Sequence, residues 1–478
     1  MYHQDDTIAA ISTPRGSGGI AVIRISGSLA ICTADTIFRG KASLEKIESH
    51  RAVLGKIVDA PNDQSTENPT ISASILDEVI VVVFRAPNSF TCEDVVEISC
   101  HGGQYLAHRI LELLLHNGTR MAEPGEFTQR AFLNGRLDLS QAEAVADLIS
   151  ARTEASLKSA LAQFQGALSA RVKKIRSTLL DLCSLLELEL DFAEEDLEFA
   201  NKEEVAVRLQ QTRDEIQSFL ATYDRGKILR EGAKLVIVGK PNVGKSSLMN
   251  ALLKEERAIV TDLPGTTRDV LEEQLDIRGV LFRVVDTAGL RTTSDAVEKE
   301  GVLRAYQQVR DAEIVLFLFD GSCELDRDDR SLIDEVFKSR KDDSRAGIVV
   351  AINKVDLPGK LSEAEVGQRV GVSDVLQISA TLHLGFESLE TKLLEKALGP
   401  ETSLNSSDAM VTNIRQKLAL EWGIQALDRA LASVRKGLSG EFVAVDLKEA
   451  LNALGEIIGE VTTEDILGNI FSKFCIGK

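Results

Sequence analysis

The chain has 478 residues, 44% hydrophobic and 27% charged, with a formal net charge of −19. These values are those of a soluble globular protein long enough for two to four domains with ordinary cores. The acidity argues against a broad nucleic-acid-gripping surface, which needs clustered Lys and Arg, and no stretch is long and apolar enough to span a bilayer.

The opening Met1-Tyr-His-Gln-Asp-Asp6 lacks the basic and apolar regions of a signal peptide, so a cytoplasmic protein is expected. A strand is predicted over Ile20–Ile25, ending at Ser26-Gly27, and a loop over Asp59–Thr70. Buried strands follow at Glu78–Phe84 and Val95–Ile98, then a helix at Tyr105–His116 ending at Asn117-Gly118. From Ser140 to Arg230 there is no Pro, and Gly occurs only at Gly166 and Gly226. Within that run Val172, Ile175, Leu179, Leu182 and Leu186 alternate at spacings of three and four, one stripe of a helix. The acidic run Glu194–Glu198 reads as a solvated turn or helix start.

From Lys234 the pattern alternates strand and helix. Strands at Leu235–Val238, Leu281–Val285, Ile314–Phe319, Gly347–Ile352 and Val375–Ile378 precede a helix at Phe386–Ala397, and Gly399-Pro400 closes the segment. The chain is helical by pattern again from Asp408 to Lys478, a length that needs the earlier helices for a core. The expected domains are 1–133 (α+β), 134–230 (helical), 231–399 (a Ras-like P-loop domain inserted into the helical one) and 400–478 (helical). The six cysteines form no CxxC pair, which argues against a zinc or dithiol site. Cys475 is a candidate reactive thiol; the residues around it fit a prenylation signal poorly.

Four stretches of the inserted segment spell a guanine-nucleotide site in order. Gly239-Lys-Pro-Asn-Val-Gly244-Lys245-Ser246 is the pattern GxxxxGK[ST], whose backbone N–H groups cradle phosphate at a helix N-terminus. Lys245 reaches the β and γ phosphates and the Ser246 hydroxyl holds Mg²⁺. Asp286-Thr287-Ala288-Gly289 supplies an acid for the metal shell and an N–H near the γ-phosphate. Asn353-Lys354-Val355-Asp356 selects the base, because a carboxylate accepts from two guanine N–H groups that adenine does not present; Ser379-Ala380-Thr381 completes the set. The nucleotide-binding residues therefore include Asn242, Val243, Gly244, Lys245, Ser246 and Ser247 in the first stretch. All these loops sit at the carboxyl ends of strands, where open α/β sheets bind ligands.

With both ends of the chain, these features closely resemble the MnmE (TrmE) family of tRNA modification GTPases. The further marks are Thr13-Pro-Arg-Gly through Ser26-Gly27, Pro87-Asn-Ser-Phe-Thr91, Glu93 through His101-Gly-Gly103, Pro124-Gly-Glu-Phe-Thr through Asp138-Leu139, and the tail Phe474-Cys-Ile-Gly-Lys478. The resemblance implies an N-terminal tetrahydrofolate-binding-like and dimerisation domain, a homodimer, and joint action with the flavoprotein MnmG, as a heterotetramer. The implied reaction builds a carboxymethylaminomethyl or aminomethyl group on the wobble uridine of certain tRNAs, with much of the tRNA contact from the partner. A tetrahydrofolate derivative, in 5-formyl or methylene form, is the implied cofactor, held by Arg24, Glu97, Arg136 and Lys478. Read without the resemblance, Arg24 and Glu97 are a salt bridge between strands. Cys92 stands where the family commonly has Gly; if that backbone needs φ > 0, Cys is penalised.

The residue after Gly289 is Leu290, which cannot orient an attacking water. The resemblance assigns that role to Glu298, although spacing alone reads Glu298 as a solvated helix residue. The resemblance also implies K⁺, held by Asn242, Thr261, Leu263 and Thr266, and makes Thr267 the second Mg²⁺ ligand. Asp262, Pro264 and Gly265 lie in the same nucleotide-contacting segment. On local chemistry Thr266-Thr267 reads as an ordinary turn. The rival function is a ribosome-assembly GTPase, which shares similar G domains but usually adds a basic RNA-binding domain that is not evident here.

Overall fold

The computed structural model describes residues 6–14, 16–59, 74–191, 202–254, 272–286, 307–339, 347–399 and 409–478. They form two compact units, Met1–Ala146 with Asn452–Lys478, and Asp147–Leu451. No helix among the described residues is long and apolar enough to cross a membrane. The acidic run at 194–198 and most of the expected loop from Asp59 to Thr70 lie outside the described residues.

The first unit is built on a seven-stranded sheet. Its strands are β1 (Ile8–Ile11), β2 (Ile20–Ser26), β3 (Phe38–Gly40), β4 (Arg51–Asp59), β5 (Ser74–Phe84), β6 (Val95–His101) and β7 (Arg120–Met121), in the order β3-β4-β5-β6-β2-β1-β7. All neighbours are antiparallel except β1 and β7. Alternation decides the faces. Ala21, Ile23, Ile25, Val96, Ile98 and Cys100 point into a core shared with the helices Ala30–Ile37 and Gln104–His116. The intervening Arg24 and Glu97 therefore point to the opposite face, where Ile8, Ala10, Ala122 and Phe127 form a smaller cluster with Phe90.

An ion network centred on the buried Arg130 and Glu126 braces that second face. Arg130 bonds Asp6, Glu93 and Glu126, and Glu126 also receives Arg120 at 2.6 Å. Burial opposes ionisation of Glu126, yet the hydrogen bond from Arg120 and the Glu123 amide hold its carboxyl below the usual range. A second core joins Leu139 and Ala142 to Leu467, Phe471 and Phe474.

In the second unit the proline-free run resolves into the helices Glu154–Phe164, Ala167–Asp191, Lys202–Leu220 and Tyr223–Glu231. The predicted stripe is real: Val172, Ile175, Leu179, Leu182 and Leu186 are all buried. Each such side chain contributes roughly 1.5–3 kcal/mol by leaving water. The second sheet has β8 (Ala233–Val238), β9 (Glu272–Ile277), β10 (Val280–Asp286), β11 (Ile314–Asp320), β12 (Gly347–Asn353) and β13 (Val375–Gln377), in the order β13-β12-β11-β8-β10-β9. Only β9 runs antiparallel. Strands β8 and β11 are buried on both faces, with Val236, Val238, Val315 and Phe317 in one core and Leu235, Ile237, Leu316 and Leu318 in the other. This explains their unbroken apolar runs.

Candidate functional site

Strand order reverses beside β8, and the phosphate-loop motif leaves its carboxyl end. Gly239 packs so tightly on β11 that a Cβ there would lie 2.4 Å from the Leu318 carbonyl oxygen. Asn242 adopts φ +67°, a region Asn tolerates, and Gly244 adopts φ +100°. The helix Lys245–Lys254 begins directly behind them. Lys245 Nζ donates to the carbonyls of Gly239 and Lys240 at 2.7 and 2.9 Å. Asn242, Ser246 and Ser247 are exposed, and Val243 is buried.

The base-selecting stretch meets this loop through one side chain. Asn353 is 2% exposed at the end of β12. Its Nδ2 donates to the Val243 carbonyl at 2.8 Å, and its Oδ1 accepts from the Ala380 amide at 3.0 Å. Sequence reasoning grouped Asn353 with base recognition; in the structure it is the bracket joining the phosphate loop to the Ser379-Ala380 loop. Asp356 is exposed, and its Oδ1 accepts from Ser379 Oγ at 2.6 Å. Ser379 is itself fixed by the Leu382 amide at 3.2 Å and lies 3.1 Å from Thr381 Oγ1. The Val355 amide donates to Ile378 at 3.3 Å, holding the two loops side by side.

Lys354 takes φ +65°, and its Nζ lies 2.6 Å from Asp320 at the end of β11. Burial opposes ionisation of Asp320, but hydrogen bonds from Lys354 and Ser322 hold its carboxyl below the usual range. Sequence reasoning missed Asp320. Its only signal was an acid followed by Gly at the end of an apolar strand.

The backbone of Asp286 ends β10, paired with Ile237 of β8. Its side chain, Thr287, Ala288, Gly289, Leu290, Glu298 and the whole of Thr261 to Thr267 lie outside the described residues. No group of three or more His, Cys, Asp or Glu among the described residues is placed to hold a metal. The donors present are instead a hydroxyl, Ser246, and an amide, Asn242, beside a phosphate cradle. That set fits a cation that takes much of its shell from phosphate and water.

In the first unit Arg24 and Glu97 are direct cross-strand partners, joined at 2.8 and 2.9 Å. The interstrand salt bridge is thus present. It borders a cavity of about 590 Å³ lined in part by Glu97, Arg136, Asn134, Ser89, Phe90 and Cys92. Phe90 organises the site: the Arg24 and Arg136 guanidiniums lie 5.5 and 5.4 Å from its ring centre. Arg136 also donates to the Ser89 carbonyl. Sequence reasoning gave Phe90 no role, although it stands in the Pro87–Thr91 motif.

Cys92 has φ +60°, the left-handed conformation that the Gly-to-Cys departure put in question. Neighbouring bonds hold it there: Asn134 Nδ2 donates to the Thr91 carbonyl at 2.7 Å, and Ser26 bridges Thr91 and Glu93. Of the four residues expected there, Glu97 and Arg136 line the cavity, and Arg24 and Lys478 do not. The tail is fastened beside β1 instead, where the Gly477 carbonyl accepts from Ser12 Oγ at 3.1 Å. Gly477 has φ +95°, and a Cβ there would be 2.4 Å from the Ile11 carbonyl oxygen. Cys475 is exposed.

Two family models match the chain, the MnmE helical domain over residues 139–475 and the GTP-binding protein TrmE N-terminus over residues 7–136. A relative from Carboxydothermus hydrogenoformans, named tRNA modification GTPase MnmE, is 44% identical over 477 residues, covering 99% of this chain and 100% of its own. A protein of the same name from Lactiplantibacillus plantarum is 44% identical over 474 residues, covering 99% and 98%. Among solved structures, the G domain of the FeoB iron transporter of T. maritima is 27% identical, with a TM-score of 0.27, and aligns with 34% of this chain and 98% of its own. The matches at both ends and across the full length show that the chain belongs to the MnmE family of tRNA modification GTPases.

Proposed function

We propose that this chain is a K⁺-stimulated GTP hydrolase that acts with the flavoprotein MnmG to add a carboxymethylaminomethyl or aminomethyl group to the wobble uridine of certain tRNAs. The observation that carries the GTP reading is the Asn353 bracket, which holds the phosphate loop and the Ser379-Ala380 loop at fixed spacing while Ser379 orients Asp356. An oriented carboxylate beside a phosphate cradle selects guanine. The tRNA reading rests on family membership.

In this reading Lys245 binds the β and γ phosphates, Asp356 accepts from the base, and Glu298 orients the attacking water that Leu290 cannot. Mg²⁺ at Ser246 and Thr267, and K⁺ at Asn242, Thr261, Leu263 and Thr266, supply positive charge to the phosphates. The remaining contacts come from Ser247, Asp286, Thr287, Ala288, Gly289 and the Thr261–Thr267 segment.

The cavity beside Glu97 is the site for the tetrahydrofolate derivative. Its volume is that of a small-molecule pocket. An acid, the Arg136 guanidinium and Phe90 line it and suit a flat heteroaromatic ring with an acidic tail. Arg24, Glu97, Arg136 and Lys478 are the proposed contacts; Glu97 and Arg136 line the cavity, and Arg24 is joined to it through its salt bridge to Glu97. The chain acts as a homodimer through the N-terminal domain, and its net charge of −19 leaves much of the tRNA contact to MnmG. The G domain, 231–399, is read as an insertion between the helical segments 134–230 and 400–478, whose outer parts, 134–146 and 452–478, group with the first unit.

Phosphate release from GTP, with Mg²⁺ saturating, is expected to be faster in KCl than in NaCl at equal ionic strength, and undetectable from ATP. A ring of neutral oxygens suits a large, weakly hydrated cation. Equal rates in the two salts would remove the K⁺ site, and equal rates for the two nucleotides would remove the role of Asp356.

A further inference from the structure

The helix Arg327–Ser339 follows β11 and starts with a reciprocal cap. Asp326 Oδ1 accepts from the amides of Asp328 and Asp329 at 3.0 Å, and Asp329 Oδ2 accepts in return from the Asp326 amide at 3.3 Å. Such a helix start is complete by itself. Here a third group reaches it from the phosphate loop. Lys240 Nζ lies 2.6 Å from Asp326 Oδ2 and 2.8 Å from Asp329 Oδ2.

The Asp329 side chain is 7% exposed and that of Lys240 21%. Two carboxylates this close, one of them buried, are unfavourable without a cation between them. Burial pushes the Asp329 carboxyl up, whereas the hydrogen bond from Lys240 holds Asp326 down at about 2. The ammonium of Lys240 is therefore committed to the scaffold, not to a phosphate. Its carbonyl does something different: with the Gly239 carbonyl it receives Lys245 Nζ. One residue ties the loop outward through its side chain and seats the phosphate-binding lysine through its backbone.

We infer that Lys240 is a positioning residue for phosphate binding: its ammonium, clamped by Asp326 and Asp329, pins the first turn of the phosphate loop to the start of the helix Arg327–Ser339, keeping the Gly239 and Lys240 carbonyls turned toward Lys245. This rests on the reading of the site as a GTP site. A loop released from the clamp must be ordered by the nucleotide itself, which lowers affinity. The same loop contacts exist in the ground and transition states, so turnover at saturation changes little.

The test compares the full chain with Lys240→Met, Lys240→Arg and the double variant Asp326→Asn/Asp329→Asn in Mg²⁺ and K⁺. Both steady-state GTP hydrolysis and affinity for a fluorescent GDP analogue are measured. Lys240→Met is expected to raise KM and the GDP Kd about fivefold to tenfold, the scale of one partly buried ion pair, with kcat within about twofold. Lys240→Arg keeps the charge and returns both constants to within about twofold of wild type. Unchanged KM and Kd in Lys240→Met, or a fall in kcat at unchanged KM, would overturn the clamp. If Lys240→Met does not fold, the double variant Asp326→Asn/Asp329→Asn, which removes both carboxylates, decides: Asn still caps the helix, so a rise in Kd supports the clamp and a wild-type Kd overturns it. A wild-type chain that binds GDP but hydrolyses no GTP contradicts the proposed function, and the Kd comparison still decides the clamp.

Discussion

Gly244→Ala is expected to raise the Kd for GTP and GDP at least about 100-fold, with the rest of the chain still folded. Two costs coincide at this position. The backbone there has φ +100°, where an L side chain is strained by about 1–3 kcal/mol. The new Cβ would also lie 2.2 Å from Asn353 Nδ2, a contact that must be relieved by movement. Asn353 cannot move without breaking its bonds to Val243 and Ala380, and leaving such buried groups unpaired costs about 1–3 kcal/mol. The substitution therefore displaces the phosphate loop and the Ser379-Ala380 loop together. Titration with a fluorescent nucleotide, alongside a thermal melt, checks it. Affinity within a few-fold of wild type would show that the bracket is not needed for binding.

Glu298→Ala is expected to leave GDP affinity nearly intact and to lower kcat by about two orders of magnitude or more, the scale of a positioned acid–base group. Leu290, directly after Gly289, is apolar and stands where a water-orienting side chain would otherwise be. Leu290→Gln is not expected to rescue the variant, because the water is approached from a different direction. Single-turnover hydrolysis with nucleotide pre-bound separates this effect from binding. A rate close to wild type would make Glu298 the solvated helix residue that its spacing alone suggests.

The candidate nucleotide site was legible in the sequence where its chemistry is local. Each loop is a short motif at the end of an apolar strand, and Gly239 and Gly244 stand where the backbone approaches Leu318 and Asn353 too closely for a side chain. The stripe from Val172 to Leu186 was legible for a similar reason, since helical spacing alone identifies a buried face. The departure at Cys92 was also readable, because a family Gly is a statement about φ.

Non-local arrangements were not legible. Lys240 and Asp326 are 86 residues apart, and each resembles an ordinary surface charge until the fold joins them. The bracketing role of Asn353 depends on Val243, 110 residues earlier. Phe90 acquires its role only when β2 and the Asn134–Arg136 turn bring two guanidiniums to its ring. Strand β4 escaped notice because it carries Gly55 and Lys56 and leaves several positions exposed, so neither a continuous apolar run nor a clean alternation marks it.

GTP chemistry in this chain is expected to serve modification of the wobble uridine. Nucleoside analysis of tRNA from a strain lacking this gene tests it most directly, with complementation by the wild-type chain and by Gly244→Ala. The carboxymethylaminomethyl and aminomethyl groups are expected to disappear from the wobble uridine in the deletion, to return with the wild-type chain, and not to return with Gly244→Ala. An unchanged wobble-nucleoside profile in the deletion would contradict it.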